Sequence, residues 1–479
     1  MRVLFVSSEV ASLAKTGGLA DVALALPKAL AQQCVDVAVV MPKYRAVTGK
    51  TEMTEAARFA VPIAGEDKEC AAFRGELPGS RVPIYYLAHD PYFDRPELYG
   101  EGSEYEDALE RFAFFSRGAL ELCRAIDWIP DVIHANDWHA SLIPAYLRDG
   151  AVPSLSGAKT LLTIHNLGYQ GVSPWSKAGV AGLSPSALAS YRQGDRINLL
   201  KGGILNVDLI NAVSPTYARE ILVEGAGLEG ELRSREGALV GVLNGVDVEV
   251  WNPETDPHLW ARFDASDRAG KVENKRRLQE ELGLQVDGSV PLFSAISRLA
   301  EQKGFDILMD AFDRMMDHRM QFVLLGTGDP TYERFFEQAQ ERYPGRVASL
   351  ITFSEAWAHR IEASADVFLM PSHYEPCGLN QQYSLRYGTV PLVRATGGLK
   401  DTVFELDVEA DTGNGFLFEE RSAEAFLRAV QRAVTIYTEQ PEAWTSMMMR
   451  GMNEDLSWSA SAKRYRELYD RLLAEPRSQ

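Results

Sequence analysis

The chain has 479 residues, 46% hydrophobic and 24% charged, which is ordinary globular composition and too much chain for one core; two or three domains are expected. A net charge of −18 argues against general nucleic-acid binding and against an anionic membrane surface, so an anionic ligand must meet local lysines and arginines. Four scattered cysteines without a C-x-x-C, a start that turns polar at Ser7 and the lack of a span-length apolar run argue against a disulfide or metal framework, a signal peptide and a membrane anchor, and favour a reducing cytoplasm.

Residues 3–6 read as a short strand, followed by Lys15-Thr-Gly-Gly-Leu-Ala-Asp21 and a helical run over 22–33. Strands over 35–40, 82–87, 132–133, 161–164 and 209–213, with a long helix over 105–126, continue an alternation that predicts a parallel sheet covered on both faces. The stretch 168–203 is irregular and rich in Gly and Ser, and reads as a surface insert with a functional rim. Residues 239–243 run into the turn signal Asn244-Gly-Val-Asp247, which places a domain boundary near 245; the polar 254–274 reads as a connector. A second α/β series has strands over 291–296, 321–325, 348–353, 365–370 and 390–393. Residues 457–473 predict a capped amphipathic helix with Tyr465, Leu468 and Leu472 on one face. Thr16-Gly-Gly-Leu-Ala-Asp21 recurs as Thr396-Gly-Gly-Leu-Lys-Asp401, which suggests equivalent corners in two Rossmann-like halves facing each other.

The richest stretch is Met370 to Thr389. A buried strand delivers Glu375 onto a Pro-Cys-Gly turn, and a helix over 380–387 offers its N-terminus to phosphate. A carboxylate beside a phosphate cradle suits a sugar nucleotide; a plain strand–turn–helix corner is the alternative. Arg298 and Lys303, at the tip of the 291–296 strand, would neutralise a diphosphate, or else are solvated charges at a helix start. Lys15-Thr-Gly-Gly18 lacks the P-loop order but sets a cation beside small residues that admit an oxyanion; a surface turn fits equally well. Leu325-Gly-Thr-Gly-Asp-Pro330 is half a dinucleotide fingerprint spoiled by its proline. His134-Ala-Asn-Asp-Trp-His139 lacks supporting metal ligands and reads as structural or substrate-contacting, and His165 stands at another strand tip. No G-x-S-x-G or H-E-x-x-H supports a hydrolase or metalloprotease.

Together the motifs resemble the bacterial glycogen synthases and plant starch synthases, retaining glucosyltransferases of the GT-B fold. The resemblance is carried by Lys15 to Val22, Phe93-Asp-Arg-Pro96, His134 to His139, Thr163-Ile-His-Asn-Leu167, Leu200-Lys-Gly-Gly-Ile204 and Val213 to Ile221. It continues in Leu243 to Asp247, Ser297-Arg-Leu299 with Gln302-Lys-Gly304, Glu375-Pro-Cys-Gly-Leu379 and Arg394 to Leu399. It implies an α/β fold of two Rossmann-like doubly wound domains facing a deep cleft: 1–245 on the acceptor side, 246–456 on the nucleotide-sugar side, and 457–479 as a helix crossing back to the first. It implies transfer of glucose from ADP-glucose to the non-reducing end of an α-1,4-glucan, without a metal or other cofactor and without nucleic-acid or membrane partners.

The same resemblance assigns roles. Arg298 and Lys303 would hold the diphosphate, with Lys15 and the backbone of Gly17 and Gly18 reaching it from the other domain. Glu375 and the Cys377-Gly378-Leu379 turn would hold glucose hydroxyls, His165 and Asn244 would line the sugar pocket, and Asp137 and Tyr99 would lie near donor or acceptor. Asp21 and Asn166 join the substrate contacts, and Phe353 would stack on the base. Three positions stand out: His373 where the family has Arg, with a pH-sensitive charge expected near Glu375; Phe353 where a Tyr is common; and Tyr383 at the second acidic position of the wider Glu-x7-Glu pattern, as is usual in this family. Cys377 is either a reactive thiol or a small residue meeting sugar through its backbone.

Overall fold

The structure is a computed structural model describing residues 1–101 and 103–474. The chain divides into two units: Met1–Asn244 with the chain from Trp458 on, and Gly245–Ser457. The last five residues of the predicted 457–479 segment lie outside the described residues.

In the first unit the strands are β1 (Arg2–Val6), β2 (Asp36–Pro42), β3 (Thr54–Ile63), β4 (Glu66–Glu76), β5 (Pro83–Ala88), β6 (Val132–Asn136) and β7 (Lys159–Ile164). They are followed by β8 (Val172–Pro174), β9 (Arg192–Gln193), β10 (Arg196–Asn198), β11 (Leu209–Ala212) and β12 (Leu239–Gly241). Nine of them form one sheet in the order β12-β11-β7-β6-β1-β2-β5-β4-β3. Its pairings are parallel except for β5–β4 and β4–β3, which are antiparallel at one edge. The central strands are apolar because both faces are covered: Val3 to Val6 and Val132 to Ile133 are buried. From β1 the chain winds one way to β2 and β5, and from β6 the other way to β7, β11 and β12. The strand order therefore reverses between β1 and β6, and open α/β sheets bind ligands beyond the carboxyl ends of strands at such a reversal.

The second unit has β13 (Leu292–Ile296), β14 (Gln321–Leu325), β15 (Val347–Leu350), β16 (Val367–Met370), β17 (Val390–Arg394) and β18 (Phe416–Phe418). Their order is β15-β14-β13-β16-β17-β18, all parallel, with the reversal between β13 and β16. Phe293, Leu308, Phe312, Phe322, Phe336 and Leu392 are buried in its main core.

Several expectations change. The β3–β4 hairpin is missing from the sequence reading: β3 alternates only over 57–63, with Phe59, Val61 and Ile63 on the inner face, and fully buries only Val61 and Ile63. The insert at 168–203 is not irregular throughout: β8, β10 and β9 form a small antiparallel sheet, and Tyr191 is fully buried. The connector ends early, where the helix Ala269–Glu281 begins. The two Thr-Gly-Gly-Leu corners each open a helix but are not equivalent: one follows β1 at the reversal, the other follows β17, one strand beyond it.

The last helix, Trp458–Ala474, buries Tyr465, Tyr469 and Leu472, with Leu468 only half-buried. It is tied to the first sheet by the Tyr469 hydroxyl against His134 Nδ1 at 2.8 Å and by Asn211 donating to the Tyr465 hydroxyl at 2.9 Å. Among the described residues no helix is long and apolar enough to cross a membrane.

Candidate active site

In the first unit, β1 is followed by Ser7, Ser8 and Glu9, all buried. The Glu9 carboxylate accepts from the Thr16 N–H (2.6 Å), the Thr16 hydroxyl (2.6 Å), the Gly17 N–H (3.2 Å) and the Tyr99 hydroxyl (2.7 Å). Ser8 donates to the same Tyr99 oxygen at 2.8 Å. This corrects two expectations. The Gly17 N–H is turned inward and is not a donor to a ligand, and the Tyr99 hydroxyl is spent on Glu9; burial first, and then Glu9, push its pKa well up. The N–H groups of Gly18 and Leu19, at the start of the helix Gly18–Gln32 where intrahelical partners are lacking, have no partner among the described residues. A Cβ at Gly17 or Gly18 would meet nothing within 4 Å, so the fold itself does not require glycine there. Lys15 is half-exposed, and its Nζ lies 2.6 Å from Asp21 Oδ1. Asp21 is thus the partner that orients Lys15.

Across the strand reversal, Asp137 follows β6 and His165 and Asn166 follow β7. Asp137 has φ 51°, a backbone conformation rare outside glycine, held by its N–H on Thr163 O and its Oδ1 under the His165 N–H at 2.7 Å. Burial pushes its carboxyl up to about 7, against the pull of the His165 and Asn166 N–H groups. The His165 ring faces Asn136 Oδ1 at 2.9 Å. Because the Asn136 amide nitrogen donates to Val6 O and His134 O, its oxygen must point at the ring, so Nε2 carries the proton and Nδ1 is left as an acceptor. Burial pushes His165 down to about 3, so the ring is neutral at ordinary pH.

Asn166 uses its side-chain oxygen to cap the Gly168 N–H at 2.9 Å, a turn role. His134 and His139 do not converge: His134 bonds Tyr469 and Thr163, while His139 stacks between Trp138 and Tyr99. Asn244 is buried at the end of this unit, and its Oδ1 has no partner among the described residues.

In the second unit, the adjacent tips of β13 and β16 bring Lys303 and Glu375 together. Lys303 Nζ lies 2.6 Å from Glu375 Oε2, which also accepts from Ser372 at 3.2 Å; among the described residues Oε1 is free. An opening of about 70 Å³, lined by Ser297, Lys303, Ser372, Glu375, Leu379 and Asn380 among others, lies alongside. Arg298 is exposed and has no hydrogen bond or ion pair among the described residues. Gly304 has φ +75° and sits so close to Pro371 O that any Cβ would overlap it, which locks the Lys303 turn against the Glu375 loop.

The Cys377–Gly378 turn is gripped from below. Gln381 Nε2 donates to both carbonyl oxygens and Gln382 Nε2 to that of Gly378, each at 3.1 Å. The N–H groups of Gly378 and Leu379 have no partner among the described residues, so the turn presents backbone donors outward, ahead of the helix Asn380–Arg386. Cys377 is buried, with the Gln382 amide 3.9 Å from its sulfur. Phe353 is 90% exposed, beyond β15 and before the Ser354 cap of the next helix.

The His373 ring is turned to Asp306, at 2.8 Å. Tyr383 stacks on Trp251, centroids 3.8 Å apart and rings 5° from parallel. Sequence reasoning missed Glu9, Asn136 and Arg394, whose guanidinium holds the carbonyls of Ser372 and His373 from beneath. For Glu9, the only available signal was a lone acid just past a buried strand.

At the two strand-order reversals stand Lys15 and Asp137 in the first unit and Arg298, Lys303 and Glu375 in the second. Residues 2–234 match the family described as starch synthase catalytic domain, and 279–446 match glycosyl transferases group 1. A glycogen synthase of Thermotoga petrophila is 45% identical over 492 aligned residues, covering 99% of each chain. This chain belongs to the glycogen synthase family. A second family member, from Anaeromyxobacter sp. strain Fw109-5, is 46% identical over 99% of this chain and 100% of its own. The catalytic domain of starch synthase IV from Arabidopsis thaliana, solved with ADP and acarbose, superposes with TM-score 0.90 at 35% identity, covering 99% of both chains. Sucrose-phosphate synthase from Thermosynechococcus elongatus, at 20% identity and TM-score 0.62, shares the fold.

Proposed function

We propose that this chain transfers glucose from ADP-glucose to the non-reducing end of an α-1,4-glucan with retention of configuration, in the cytoplasm and without a metal. The observation that carries the reading is the second unit's strand reversal: an Arg298 unpaired among the described residues, and Lys303 bonded to a Glu375 that keeps one oxygen free among them. Arg298 and Lys303 supply the positive charge that a departing diphosphate needs. Glu375 Oε1 and the N–H groups of Gly378 and Leu379 offer an acceptor and donors for sugar hydroxyls. In the first unit Lys15 and the Gly18 and Leu19 N–H groups suit phosphate, and His165 Nδ1 accepts from a hydroxyl.

As the glycosidic bond to the diphosphate lengthens, the anomeric carbon becomes oxocarbenium-like. The acceptor hydroxyl attacks from the same face, and its proton passes to a leaving phosphate oxygen, so a hydrolase-type carboxylate pair is not needed. Four free cysteines support a reducing compartment, and the names of the relatives support the donor and acceptor classes.

The test measures nucleotide release from ADP-glucose and UDP-glucose, each with and without glycogen, in the presence of EDTA. Glycogen-dependent ADP release is expected. Dominant UDP release would overturn the donor assignment, and loss of activity with EDTA would overturn metal independence.

A further inference from the structure

We propose that Glu9 is the positioning residue of the Lys15–Gly18 loop, which fixes the donors that this loop turns to the diphosphate of the nucleotide sugar. The inference rests on the function proposed above and adds a residue and a role to it.

Glu9 is 3% exposed. Its backbone is clamped to Ser7, whose hydroxyl donates to Glu9 O at 2.7 Å and accepts from the Glu9 N–H at 3.3 Å. Its two oxygens collect four donors from two distant segments: Thr16 twice and Gly17 on the loop, and Tyr99 some ninety residues on. A carboxylate has acceptor sites for all four, and no neutral side chain of the same length is acceptor-only.

The Tyr99 arm is itself held. Arg111, fully buried, donates from Nε to Tyr92 O at 2.8 Å and from Nη2 to Leu98 O at 2.9 Å, fixing the chain just before Tyr99.

A negative charge directly behind a phosphate-binding loop would weaken anion binding through space. Its place there is accounted for if its work is geometric. By taking the Thr16 and Gly17 N–H groups inward, Glu9 leaves Gly18, Leu19 and the Lys15 ammonium as the loop's outward donors. Without it, two unpaired N–H groups would turn the loop, and the Lys15 and Gly18 donors would shift with them. Shifts of an ångström in such donors cost about 100-fold in rate.

The role predicts a graded response. Glu9→Ala removes every acceptor, so kcat/KM for the sugar nucleotide should fall about 100-fold. Glu9→Gln keeps one amide oxygen for the Thr16 and Gly17 N–H groups, while the Thr16 and Tyr99 hydroxyls can turn to accept from the new NH2. It should recover to within about tenfold of wild type. The KM for glycogen should stay within about twofold in both variants, because a lysine and backbone N–H donors suit phosphate, which glycogen lacks.

The experiment measures kcat and both KM values for wild type, Glu9→Ala and Glu9→Gln, with circular dichroism to confirm folding. Wild-type turnover of ADP-glucose tests the underlying reading by itself. Given that turnover, unchanged donor kcat/KM in Glu9→Ala, a Glu9→Gln no better than Glu9→Ala, or an equal loss in glycogen KM would each overturn the positioning role. If Glu9→Ala does not fold, Thr16→Val and Tyr99→Phe decide. Each removes one of the four donors and should lower donor kcat/KM about threefold with glycogen KM unchanged; wild-type constants in both would overturn it.

Discussion

The hexapeptides at Thr16 and Thr396 are nearly identical, yet their glycines answer to different partners. At Gly397 the backbone has φ +46°, and a Cβ would lie 1.9 Å from Glu375 O; at Gly398 it would lie 2.0 Å from Cys377 O. Those glycines let one corner nest under the loop that carries Glu375, and the Gly398 N–H bonds Glu375 O at 3.1 Å. At Gly17 φ is −148°, ordinary extended backbone, and added Cβ atoms at Gly17 and Gly18 meet nothing within 4 Å. One corner needs glycine to fold. The other leaves room for something outside the chain, and the lysine and open helix start beside it suit an anion.

That contrast can be broken by substitution. Gly398→Ala should be the most damaging change, lowering unfolding free energy by about 3 kcal/mol or more, because backbone rather than a flexible side chain opposes the new carbon. Denaturant unfolding checks this, and a near-wild-type midpoint would erase the distinction between the corners. Gly18→Ala should leave stability within about 1 kcal/mol, or raise it slightly, while kcat/KM for ADP-glucose falls at least about tenfold. The two variants together invert stability against activity.

Acid sharpens the comparison at the first unit's own site. His165 is depressed from 6.5 to about 3, so the unfolded chain binds the extra proton between those values. Its contribution to stability is complete above pH 6.5 and is lost as pH falls toward 3; His165→Gln should flatten the decline measured by unfolding at stepped pH. Asp137 acts in the opposite sense: raised from 3.8 to about 7, it costs stability as pH climbs through that window, so Asp137→Asn should show a steeper rise with pH than wild type. The smallest effect is expected from Phe353→Ala, whose ring is almost wholly in solvent. Stability should not change measurably, and nucleotide affinity should weaken by about 1 kcal/mol, read by calorimetry with ADP.

What could be read from sequence follows the range of the interactions. The central strands were legible because burial on both faces demands unbroken apolar runs, as in Val3 to Val6 and Leu292 to Phe293. Arg298, Lys303 and Glu375 were legible as strand-tip residues, since motifs mark those tips. The β3–β4 hairpin escaped because its sheet-edge strand begins with exposed Thr54, Glu55 and Ala56 and carries a proline at Pro62, so the alternation of Phe59, Val61 and Ile63 is short and interrupted. Glu9 escaped because its partners are fixed by tertiary contact: nothing local links it to Tyr99. The Asp306 partner of His373 escaped for the same reason, since it lies 67 positions away and meets the ring only in the folded unit.

The most direct measurement of the central claim follows labelled glucose from ADP-glucose into glycogen, with EDTA present, for wild type and for Glu375→Gln. The account predicts glycogen-dependent incorporation as α-linked glucose by wild type. It predicts a loss of about 1,000-fold in the folded variant, whose amide can no longer pair with Lys303 and present a free anionic oxygen. Undiminished incorporation by Glu375→Gln, or label that wild type leaves in free glucose rather than in polymer, would contradict it.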